Sequence, residues 1–185
     1  SGFLFAGICS VTNTLFESNV VARLFANVSG TDNSIVNCTF VGNRYDYLCV
    51  FSEAGMACRV ANCCFEGNGT HSWGFADEEI GQTEMSGLNF DHSILKTHQT
   101  LGGTGNINRL DPEYENLSLR MMGSRDPSRP YAPRRRSPLN GAGEVMPWMA
   151  SAVDLDGHPR LTAGRVAMGA YETAEESTGF AILFR

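Results

Sequence analysis

The sequence predicts an all-β fold, a right-handed parallel β-helix with coils of 24 or 25 residues, and three observations carry that prediction. The first is a repeated block. Ile35–Asn43 reads IVNCTFVGN, and the pattern returns as RVANCCFEGN over Arg59–Asn68, as SVTNTLFESN over Ser10–Asn19 and in weaker form as MSGLNFDHS over Met85–Ser93. The second is the period: Phe16, Phe40, Phe65 and Phe90 are separated by 24, 25 and 25 residues, and Asn19, Asn43, Asn68 and Ser93 keep the same interval. A fixed period in that range marks stacked units, none of which can bury its apolar face alone. The third is the column Asn13, Asn37, Asn62 and Gly87, residue types that adopt a left-handed backbone at low cost.

Each coil then reads as strand, corner, strand. A first strand ends at the column Val11, Ile35, Val60 and Met85, and the Asn/Gly column turns the chain. A second strand points inward the columns Thr14, Cys38, Cys63, Leu88 and Phe16, Phe40, Phe65, Phe90. Stacking places like above like, so the Asn columns form amide ladders at the corners. Leucine-rich repeats share the period but need several Leu columns, and Leu is not the repeated residue here. Residues 1–101 are therefore coils, the C-terminal part of a longer solenoid, and 102–185 hold the last coil, a Pro/Arg-rich loop and a C-terminal cap.

Composition agrees. Twenty Gly among 185 residues suit a turn-rich β domain. A net charge of −6 argues against non-specific nucleic-acid binding, which depends on neutralising phosphates. No apolar run approaches the ~20 residues of a membrane-spanning helix. The opening stretch SGFLFAGICS enters directly as strand. An uncapped first coil would expose strand edges, so the expectation is that a missing N-terminal portion or a partner chain covers it near Phe3 and Phe5. Cys9, Cys38, Cys49, Cys58, Cys63 and Cys64 lack the paired spacing of a zinc site. They read as buried thiols, with a Cys49–Cys58 disulfide as the alternative.

Beyond Leu101 the register dissolves. Asp126–Pro138 carries four prolines and four arginines, among them Arg134-Arg135-Arg136, and reads as an exposed loop. SPLNGAG (Ser137–Gly143), DLDGHPR (Asp154–Arg160) and GRVAMGAYE (Gly164–Glu172) come next. Their order, with the upstream Phe-x-x-Asn repeats, resembles the C-terminal end of bacterial secreted right-handed parallel β-helix proteins of the choice-of-anchor Q group. The sequence departs from that group at Asn140, where Asp is usual, and in a tail without an anchor signal. The resemblance implies a secreted or surface-displayed bacterial protein. In the cap, Asp154, Asp156 and Gly157 form a turn, and Arg160 pairs with Asp154, Asp156 or Glu172 near Gly169 and Tyr171. Calcium at the Asp154-Leu-Asp156-Gly157 run is the sharper alternative, although the EF-hand pattern is absent. No other cofactor or metal is indicated.

Six residues beyond successive Phe positions stand Asp46, His71 and Lys96, and eight beyond stand Trp73 and His98. If the loops keep register, Asp46, His71 and Lys96 form a titratable column, with Trp73 and His98 beside it to bind sugar. A polar bend is the competing reading, and Asp77-Glu78-Glu79 reads as an acidic loop. The functional expectation is an extracellular β-helix scaffold or adhesive module that binds polysaccharide or other surface proteins. A polysaccharide lyase or glycoside hydrolase of the same fold is the alternative.

Overall fold

The computed structural model describes residues 3–69, 79–80, 87–108, 111–114 and 131–173, with the backbone alone described for 3–6. The described chain is all-β apart from one 3-10 turn, Pro147–Ser151. The strands are β1 (Phe3–Gly7), β2 (Ser10–Thr12), β3 (Leu15–Glu17), β4 (Arg23–Val28), β5 (Asn33–Val36) and β6 (Thr39–Val41). After them come β7 (Tyr47–Phe51), β8 (Cys58–Ala61), β9 (Cys64–Glu66), β10 (Leu88–Asp91), β11 (Ile94–Leu95) and β12 (Ile107–Asn108).

These make three parallel sheets. One runs β1-β4-β7, a second β10-β8-β5-β2 and a third β12-β11-β9-β6-β3. Strands one repeat apart are neighbours in register: Val11 pairs with Ile35 and Ile35 with Val60, while Phe16 pairs with Phe40 and Phe40 with Phe65. Alternation sets which side chains point inward. The interior holds Ile35, Val60, Phe40, Phe65, Leu24, Leu48, Cys38 and Cys63, all buried. Phe16, Phe40 and Phe65 stack with centroids 4.8 and 4.6 Å apart and rings within 4° of parallel.

The corners use the left-handed backbone. Asn13, Asn37 and Asn62 have φ of 50, 51 and 52°. A second corner, after the third-sheet strands, has Ser18, Gly42 and Gly67 at 55, 61 and 61°. Each corner turns the chain from one sheet to the next with a residue whose short polar side chain, or missing Cβ, lowers the steric cost of positive φ.

The fourth repeat departs from the spacing rule. Phe90 pairs with Val60, and Ile94 with Cys64, so this copy lies thirty residues after the third. Phe90 therefore continues the Val11, Ile35, Val60 column of the second sheet. Its ring meets Phe65 edge-on at 6.1 Å, while buried Leu95 continues the Phe column. The corner belongs to His92, with φ 44°, and not to Gly87, which precedes β10. The corrected copy is Leu88–Leu95, LNFDHSIL. Met85 lies outside the described residues.

The segment 131–173 packs on the outer faces of two sheets. Met146, Met149 and Val166 cover Val36 and Ala61 of the second sheet. Tyr114, Tyr131, Leu139, Met168 and Tyr171 cover Val41, Cys64 and Ile94 of the third. That second apolar layer explains why the outward positions Val36, Ala61, Val41, Cys64 and Ile94 are themselves hydrophobic or Cys.

All six cysteines are free and buried. Burial pushes the Cys9 thiol up to about 12, with the nearby Cys58 and Cys38 adding to it. Burial also holds the Cys63 and Cys64 thiols well above the usual range. They are small apolar side chains in practice.

Candidate functional site

The corner column is where the structure concentrates its polar contacts. The shared left-handed φ makes Asn13, Asn37, Asn62 and His92 leave the stack in one line, and each meets a carbonyl of the 131–173 segment. Asn13 Nδ2 donates to Val153 O at 2.9 Å, and Asn37 Nδ2 to Ala167 O at 3.2 Å. Asn62 Nδ2 donates to Glu144 O at 2.8 Å, and His92 Nδ1 lies 3.0 Å from Ala142 O. Glu144 N returns a bond to Asn62 Oδ1 at 2.6 Å, and Gly169 N donates to Asn62 O at 2.7 Å. One amide contact between corners is made, Asn62 Nδ2 to Asn37 Oδ1 at 3.3 Å. The column thus docks another part of the chain more than it bonds to itself, which corrects the simple ladder expected there.

At the Asn13 end lies a buried ion pair. Arg160 is fully buried and its Nη1 lies 2.9 Å from Glu172 Oε1. The guanidinium also donates to Gly169 O at 3.0 Å and, through Nε, to Asn13 Oδ1 at 2.9 Å. Of the three expected acids, Glu172 takes Arg160. Asp154 instead ties the turn: its Oδ1 accepts Asp156 N and His158 N at 2.9 and 2.8 Å, and its Oδ2 accepts Glu172 N at 2.7 Å. Gly157 turns at φ 87° within that loop. Gly169 has φ 96°, and a Cβ there would stand 2.7 Å from Thr39 Oγ1. Tyr171 is buried on the third sheet. Burial raises the pKa of Glu172 above the usual carboxylate range, against the opposing pull of Arg160 and the Ala167 N–H.

Asp154, Asp156 and His158 bring three potential donor atoms within 4.8 Å of one another. The set fits calcium poorly. Calcium takes about six to eight oxygen ligands, whereas here one donor is a ring nitrogen and the Asp154 carboxylate is already engaged by three backbone N–H groups.

The second Asn column is a ladder in the full sense. Asn19 donates its N–H and Nδ2 to Asn43 Oδ1 at 3.0 and 2.8 Å, and Asn43 does the same to Asn68 Oδ1 at 3.0 and 2.9 Å. Asn43 and Asn68 also donate Nδ2 back to Phe16 O and Phe40 O. The next member is not Ser93 but Glu79, whose Oε2 accepts both donors of Asn68 at 2.8 Å and whose Oε1 accepts Gly67 N at 2.9 Å. Glu79 is buried. Sequence reasoning places it in an acidic loop because it lies eleven residues after Asn68, outside the period. The one signal that could have found it is chemical: a ladder of amide donors has to end on an acceptor.

The expected titratable column does not assemble among the described residues. Asp46 leads into β7 of the first sheet, with its N–H on Ala22 O at 3.0 Å. Lys96 follows β11 of the third sheet, and its carbonyl accepts Glu79 N at 3.0 Å. The thirty-residue fourth spacing moves Lys96 and exposed His98 out of the Asp46 column. His71 and Trp73 lie outside the described residues. Compared with known proteins, the chain matches no family model, no curated protein and no solved structure.

Proposed function

We propose that the chain is part of a right-handed parallel β-helix of the choice-of-anchor Q kind, serving as a secreted or surface-displayed scaffold that adheres to polysaccharide. The observation that carries this reading is the use made of the repeat. In each of four successive repeats one corner residue, Asn13, Asn37, Asn62 or His92, holds the segment that contains DLDGHPR and GAYE. Among the described residues, the polar side chains of the corner column are engaged in structural bonds along the stack. A body built of stacked repeats suits display and adhesion.

The test is retention of the protein on a panel of acidic and neutral polysaccharides, with the polymer analysed afterwards. Binding that leaves chain length unchanged supports the scaffold. New reducing ends or unsaturated uronate products would establish the lyase or hydrolase alternative, and retention on no polymer would remove adhesion to glycans.

A further inference from the structure

The Asn19, Asn43, Asn68 ladder has a direction. Asn19 and Asn43 each donate their N–H and Nδ2 to the Oδ1 of the next member, and Asn43 and Asn68 also donate Nδ2 to a carbonyl of the previous repeat. At the Asn68 end the ladder stops, because the Glu79 carboxylate accepts and has no side-chain proton to pass on. At the other end it is open. Among the described residues Asn19 Oδ1 accepts no hydrogen bond, and Asn19 Nδ2 has no counterpart of the bond that Asn43 makes to Phe16 O.

A second observation points the same way. β1 pairs with β4 as β4 pairs with β7, so β1 already occupies the first-sheet place of a preceding repeat. Among the described residues β2 and β3 carry no strand on that side. Val11 is partly exposed where Ile35 and Val60 below it are fully buried.

We propose that the β2–β3 edge is the stacking surface for one further repeat of the same polypeptide, the segment leading into β1. It would lie parallel and in register, placing an asparagine over Asn19 so that its N–H and Nδ2 meet Asn19 Oδ1. Its Phe-column carbonyl would receive Asn19 Nδ2. The bonding rules of the two observed steps fix the spacing: the asparagine stands 24 or 25 residues before Asn19, and the carbonyl 27 or 28 before it. Glu79, which ends the ladder at Asn68, offers no side-chain donors of this kind.

The inference rests on the stacked-coil reading above but not on adhesion, and its test is separate from polysaccharide retention. The native product is isolated from its source, sequenced upstream of Ser1, and compared with the 185-residue chain by amide exchange. The expected result is an asparagine at the stated spacing, with β2 and β3 amides exchanging at least about tenfold more slowly in the native product. A native product that begins at Ser1, one without an amide side chain at that position, or unchanged exchange in β2 and β3 overturns it.

Discussion

Glu79 closes the asparagine ladder on Asn68, accepting its backbone N–H and its Nδ2 on one carboxylate oxygen, each at 2.8 Å. The same side chain accepts Gly67 N, and its main chain is held by Lys96 O and by the Tyr45 hydroxyl. One residue thus ties the third repeat to the fourth.

Truncating that residue leaves buried donors unpaired. Glu79→Ala is expected to lower unfolding free energy by about 3 kcal/mol, since each orphaned buried donor costs about 1–3 kcal/mol. Urea denaturation monitored by circular dichroism measures it, and a loss below about 1 kcal/mol would mean that water replaces the carboxylate.

Glu79 also predicts a pH dependence. Burial raises its pKa, and the Asn68 and Gly67 donors with Lys96 pull it back only in part. A carboxyl that holds its proton more tightly folded than unfolded contributes stability that is fully present below its unfolded pKa and lost as pH rises through the folded value. Glu79→Gln cannot titrate. The stability of the natural chain relative to E79Q should therefore fall as pH rises from about 4 through the raised value. A difference that is flat, or that grows with pH, would show that the donors outweigh burial.

Breaking the Arg160–Glu172 pair should be costly from either side. Arg160→Met and Glu172→Leu each leave one buried charge without its partner, at about 3–5 kcal/mol, whereas the double variant should recover a large part of that loss. Thermal unfolding of the three variants supplies the cycle, and additive losses would contradict a direct pair.

Asn62 combines two roles that substitution can separate. Asn62→Gly keeps the φ of 52° accessible but loses the bonds to Glu144; Asn62→Ala loses both. The alanine variant should be the less stable by about 1 kcal/mol. Limited proteolysis of both variants should cut within 131–173 faster than in the natural chain, because that segment loses its hold on the corner.

The thiols should be silent until the chain unfolds. All six are buried and free, and Cys9 is pushed up to about 12. Alkylation at neutral pH is expected to leave the native mass unchanged and to add six groups after denaturation. Any disulfide found in the native chain would require the interior to be packed differently.

By itself the sequence determined the first three repeats. The Phe16, Phe40, Phe65 stack and the Asn13, Asn37, Asn62 corner were legible because each depends on local residue type and on a spacing that the first three repeats restate. Tertiary structure decided the course of the chain after Asn68. A shortened or lengthened connection leaves no local mark, so Phe90 matched the period while its burial over Val60 set a different register. That register, in turn, gave the corner to His92 and took Lys96 away from Asp46. Glu79 and Glu172 found their partners, Asn68 and Arg160, for the same reason: a buried donor or charge is satisfied by whatever acceptor the completed packing brings near, and proximity in space is not written in sequence distance.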